Sequence, residues 1–130
     1  NEPDKDELED DEEAKTLDKE MKEQRKAYRK ALLARADIGG KIADKDSSSV
    51  DEFDLAVKEL KKWVSAANLD DDKEKIKHSI TLAKHARICQ NKNATTISIL
   101  LKAKKELSGK GLEQVDDELM KAFGTLDGAQ

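Results

Sequence analysis

His78, His85 and Cys89 are separated by seven and four residues, a spacing that puts all three on one side of a helix. Imidazole and thiolate are preferred zinc ligands, so this trio is the chain's nearest approach to a metal site. A tetrahedral site needs a third or fourth ligand converging from another element, and the chain holds no further histidine or cysteine. The trio also borders Leu82 and Ala86, where a buried thiol behaves as a small hydrophobe. Packing is therefore the expected role, and no metal ligands are expected.

Nucleophilic catalysis brings a nucleophile, a base and an orienting group together. Serine, histidine and aspartate all occur, but no GxSxG, Asp-Thr/Ser-Gly, His-Gly or Gly-Thr-Ser sequence does, and six glycines leave little strained loop to carry one. Phosphate-cradling GxGxxG and GxxxxGKS/T loops are missing, and Gly109-Lys110-Gly111 reads as a turn. No catalytic and no cofactor-binding residues are expected, so the chain reads as a non-enzyme without a cofactor. Lys58, Lys61 and Lys62 form a solvated basic face, with too few aromatic residues for base stacking. Asn93-Ala94-Thr95 matches a glycosylation sequon, and Ser47 to Ser49 precede Asp51 and Glu52 as an acidophilic kinase would require. An ordinary capped loop is the simpler reading of the serines.

The elements that position these residues are helices. Of 130 residues, 42% are charged and 3% aromatic, the composition of amphipathic helices with solvated outer faces. Hydrophobic residues still reach 36%, enough for one modest core. A net charge of -4 argues against general nucleic-acid or acidic-membrane binding. The single cysteine precludes an internal disulfide and favours a reducing, cytoplasmic setting. No apolar run approaches the ~18–20 residues that span a bilayer, and no signal segment is seen. The start at Asn1, without methionine, fits a piece of a larger protein.

Residues 1–13 include nine Asp or Glu, so residues 1–12 read as an acidic flexible tail or fraying helix. Residues 13–124 read as one α-helical domain, and residues 125–130 as a flexible end. Leu17, Met21, Tyr28 and Leu32 mark one side of a first helix ending near Asp44. Gly39 and Gly40 lie inside it, where Ala36, Gly39 and Ala43 would allow a close helix approach. Ser49 and Glu52 form a capping box for a second helix. Its stripe is Val50, Phe53, Val57, Leu60, Val64 and Ala67, broadened by Ala56 and Trp63, while Leu55 points away. Asp71 and Glu74 cap a third helix to about Asn91, and Asn93 caps a fourth through Leu107 with Ile97, Leu100, Leu101, Ala103 and Leu107 inward. Leu112, Val115, Leu119 and Phe123 build a short fifth helix closed by Gly124. The expected fold is an all-α antiparallel array.

Lys75 to Ser108 form a 34-residue helical hairpin, the length of a tetratricopeptide unit, with Ile80, Ala83, Leu100 and Ala103 near its packing positions. Lys84 and Arg87 stand where that repeat has glycine and tyrosine, so the likeness is to a degenerate repeat. Across residues 27–124, ALLARADIGGKIADKD, FDLAVKELKKWV, ITLAKHARICQNKNATTISILLKAKKEL and DELMKAFG follow in order. This order resembles the C-terminal helical region of tripeptidyl-peptidase II, with Phe53 and Lys58 to Val64 as its best anchor. After Gly124 the chain departs from the family's aromatic ending. The resemblance implies a cytosolic serine exopeptidase parent that releases tripeptides from oligopeptide N-termini, with catalytic residues that match no position here. It also implies that this segment is non-catalytic and serves packing and oligomer assembly. The alternative is an independent helical-repeat adaptor holding a partner helix or peptide. Protein partners are expected in either case, without nucleic acid or membrane.

Overall fold

The computed structural model describes the backbone of residues 4–128 and the side chains of residues 12–124. Five helices make up an all-α fold, and no strand occurs among the described residues. They are α1 (Asp4–Ala43), α2 (Val50–Trp63), α3 (Asp72–Ile88), α4 (Asn93–Glu106) and α5 (Leu112–Gly128). Two 3-10 turns, Ser47–Ser49 and Ala66–Asn68, flank α2. None of the helices is long and apolar enough to cross a membrane.

The chain divides into two compact units, residues 1–31 and 32–130. The first is the N-terminal part of α1, so helix begins at Asp4, inside the stretch read as a tail. Its described surface carries local contacts such as the Lys22–Asp18 ion pair at 3.3 Å and the Thr16 hydroxyl donating to the Glu12 carbonyl at 2.9 Å. Such exposed pairs contribute a few tenths of a kcal/mol.

In the second unit the end of α1 packs on α2. Phe53, Val57 and Leu60 are fully buried, together with Ala36. Gly40 has a physical reason to be glycine: a Cβ there would stand 3.0 Å from two ring carbons of Phe53. The Phe53 ring thus lies directly on the α1 backbone, and the helix runs through both glycines to Ala43. A second cluster joins α3, α4 and α5 through Ile76, Ile80, Leu100 and Val115. Thr96, fully buried, ties α4 to α3 by donating its hydroxyl to the Ala83 carbonyl at 3.0 Å.

Asp71 caps α3 as expected, its carboxylate accepting from the Glu74 N–H at 2.7 Å. The Ser49 cap does not form. Asp46 instead accepts from the Ser48 N–H and hydroxyl, and the turn Ser47–Ser49 runs straight into α2, leaving Ser49 nothing to cap. Helix α3 stops at Ile88 rather than Asn91, which takes the left-handed conformation (φ 51°) that asparagine tolerates. Asn93 is the first residue of α4, not its cap, and its Oδ1 is buried without a partner. Helix α5 continues through Gly124 to Gly128.

Four residues assigned to buried faces are exposed. Trp63 is 50% exposed, because it sits at the edge of the stripe on the last residue of α2. Its indole N–H donates to Glu59 one turn back, at 3.0 Å. Ala67 falls beyond the helix in the Ala66–Asn68 turn, and Leu101 and Phe123 lie off the buried lines set by Leu100–Ala103 and Val115–Leu119.

Candidate functional site

Helices α2 and α3 bring three donor types together. Asp54 follows buried Phe53, so its carboxylate stands at the rim of the α2 stripe. His85 comes from the last turn of α3 and Cys89 is that helix's C-terminal cap. The carboxylate, imidazole and thiol donor atoms lie within 4.8 Å of one another. His85 Nε2 is 2.7 Å from Asp54 Oδ1, and Lys58 Nζ is 2.9 Å from Asp54 Oδ2. The imidazole is 3% exposed and meets the Phe53 ring edge-on, with centroids 5.9 Å apart at 77°. Cys89 is half-buried and its thiol faces the Val50 carbonyl at 3.8 Å.

The His78–His85–Cys89 alignment does not survive as a group. Seven helical residues rise about 10.5 Å, so His78 stands two turns away from the other two. His78 is buried among α3 and α4 residues, and that burial lowers its imidazole pKa. Asp54, from a different helix, takes the third place.

A cysteine, histidine and aspartate in contact invite comparison with a nucleophilic triad, but the electrostatics oppose it. Burial raises the Cys89 thiol pKa, and the nearby carboxylates of Asp54 and Asp51 raise it further. Reactive thiols need the reverse, a cationic setting that favours thiolate. Asp54 itself is held below its ordinary value, first by the hydrogen bond to His85 and then by Lys58. What the three groups can do chemically is offer nitrogen, sulfur and oxygen ligands to one cation.

A second polar cluster escaped the sequence reading. Glu118, 4% exposed, meets Lys84 Nζ at 3.5 Å and Arg87 Nη2 at 3.4 Å. Arg87 also meets Asp44 at 3.0 Å, and Lys121 bridges Asp44 at 3.0 Å and Glu118 at 3.4 Å. Burial raises the Asp44 pKa, but its hydrogen bonds to Lys121 and Arg87 and their charges outweigh that and leave it lowered. Lys84 and Arg87 are the two residues that depart from the tetratricopeptide pattern, and both are committed to this network. The only sequence signal was a pair of cations among Ala83, Ala86 and Ile88.

Several surfaces are open among the described residues. A groove of about 530 Å³ runs between α3 and α4, with Leu82, Ile99 and Leu107 among its walls and His78 on its lining. In the first unit, Leu17, Met21 and Tyr28 are 58%, 47% and 44% exposed along one line of α1. Leu55 on α2 is 61% exposed. Ser47 and Ser48 are exposed, and the Ser48 hydroxyl is bound to Asp46 at 2.7 Å. Comparison of the chain with protein-family models, curated proteins and solved structures gives no match.

Proposed function

We propose that this chain is a non-catalytic helical module that assembles with further copies of itself through the N-terminal part of α1. The observation that carries this reading is the exposed line of Leu17, Met21 and Tyr28. Their spacings of four and seven return to one side of a helix, the geometry a second helix can cover. Charge supports a second copy as the occupant. Residues 1–13 carry nine Asp or Glu and one Lys, whereas residues 14–31 carry seven Lys or Arg and three Asp or Glu. Two copies laid antiparallel set the acidic stretch of each beside the basic stretch of the other, while a parallel pair sets like against like.

The resemblance to tripeptidyl-peptidase II gives such a module a setting, as a scaffold segment of a large cytosolic exopeptidase. It rests on the order of helices and their packing motifs. A second reading, an adaptor that takes a partner helix or peptide, is favoured by the α3–α4 groove and its apolar walls.

Light scattering over a range of protein concentrations, with a tripeptide-release assay on the same sample, tests the reading. Self-association that weakens with added salt, without hydrolysis, is the expected result. A strict monomer at the highest concentration contradicts assembly and leaves the adaptor. Hydrolysis by the purified chain contradicts both.

A further inference from the structure

We propose that Asp54, His85 and Cys89 form a binding site for one Zn²⁺ ion, with an open fourth position facing solvent. The three donors are a carboxylate oxygen, an imidazole nitrogen and a thiolate sulfur, a set that suits zinc better than the oxygen-seeking calcium or magnesium ions. Ligand atoms ~2.0–2.3 Å from a tetrahedral zinc stand roughly 3–4 Å from one another. The present donors lie within 4.8 Å, and the Asp54–His85 pair, at 2.7 Å, must first draw apart by a rotation of the Asp54 side chain to admit an ion.

Two structural elements fix the site before any ion arrives. His85 and Cys89 are four residues apart at the end of α3, and the imidazole is wedged against Phe53. Asp54 is placed by its neighbour Phe53, which is fully buried in the α2 stripe. The Asp54 carboxylate is 30% exposed and Cys89 is half-buried, which gives the ion an entry path and leaves room for a water or an external ligand. The ion would take the place between Asp54 Oδ1 and His85 Nε2 that a proton now holds at 2.7 Å. The thiol proton leaves to solvent as the Zn–S bond forms, and the imidazole exchanges its Nε2 proton for one on Nδ1, so that neutral His85 binds through Nε2. Negative charge is already gathered around the thiol from Asp54 and Asp51, and a dication relieves it.

Two features set the strength of the site. Lys58 pairs with Asp54 at 2.9 Å and must give way, which its exposed side chain allows. The other ring nitrogen, His85 Nδ1, is buried without a hydrogen-bond partner. Imidazole ligands are ordinarily held by such a partner, and its loss weakens binding ~10–100-fold. The site is therefore one of moderate affinity, loaded and unloaded reversibly rather than required for folding.

The test is a Co²⁺ titration of the full chain, read by thiolate charge-transfer absorption and by the visible bands of tetrahedral cobalt. One equivalent binding with both signals, displaced by Zn²⁺, is expected. Cys89→Ser should abolish the charge-transfer band, and Asp54→Asn should weaken binding at least tenfold, each with unchanged helical circular dichroism. No cobalt bands up to millimolar metal overturns the proposal. So does equal affinity in the wild type and both variants, which locates the ion elsewhere, such as among the carboxylates of residues 1–13. Should either variant lose its helicity, the wild-type titration alone still decides, since the charge-transfer band requires the single thiol.

Discussion

Leu17, Met21 and Tyr28 in the first unit and Phe53, Val57, Leu60 and Val64 in the second obey the same helical spacing, yet meet opposite fates. The first three are each more than 40% exposed, and the last four are 5% exposed or less. Spacing declares that a helix has an apolar side; only other parts of the chain, or another chain, determine whether that side is covered. In the second unit the cover is internal, where α2 packs against the end of α1 and against α3. In the first unit, two halves of opposite charge accompany an exposed side, which is why a second copy is the proposed cover.

The contrast breaks most sharply with truncation. Phe53→Ala should cost about 3–5 kcal/mol in urea unfolding, because a fully buried ring is replaced by a cavity on the α1 backbone. Leu17→Ala, measured on dilute protein, should change stability by no more than ~0.5 kcal/mol. Comparable losses from the two would refute the distinction between the units.

Of similar or slightly smaller size is Glu118→Ala, expected to cost about 3 kcal/mol or more. It leaves Lys84 and Arg87, both largely buried, without their shared carboxylate. Chemical denaturation at fixed salt measures it. A change below 1 kcal/mol would mean that water reaches these cations.

Gly40 and Gly124 should respond in opposite ways to an added methyl. Gly40→Ala should destabilise by about 1–3 kcal/mol, since the added Cβ meets the Phe53 ring at 3.0 Å and this outweighs the gain in helix propensity. Gly124→Ala, with nothing within 4 Å of its new methyl, should stabilise by up to ~1 kcal/mol. Thermal midpoints of the two variants should move in opposite directions.

The smallest expected effect is a pH dependence from His78. Burial lowers its folded pKa, so between the unfolded value near 6.5 and the lower folded value only the unfolded chain takes up a proton. Stability therefore falls as the pH drops through and below about 6.5. His78→Gln should flatten that slope in urea midpoints taken from pH 7.5 to 5, and an unchanged slope would mean the imidazole is solvated.

Much of the fold was legible because it is local. The α2 stripe, the Asp71 cap and the small residues facing Phe53 all follow from residues within one or two turns of each other. The departures cluster at element ends and edges. Trp63 is the last residue of its helix, and Ser49 follows a turn already capped by Asp46. The candidate site was half legible: His85 and Cys89 share a face of one helix, so their spacing revealed them. Asp54 lies 31 residues before His85 on another helix, and no periodicity links the two. The Lys84–Glu118 pair was hidden for the same reason, since it depends on how α5 meets α3.

The most direct test of the assembly reading is sedimentation at low salt of the wild type beside the double variant Leu17→Lys/Met21→Lys. Assembly through α1 should give a concentration-dependent dimer or larger species in the wild type and a monomer in the variant, with equal helical content. Equal sedimentation of the two proteins would contradict it.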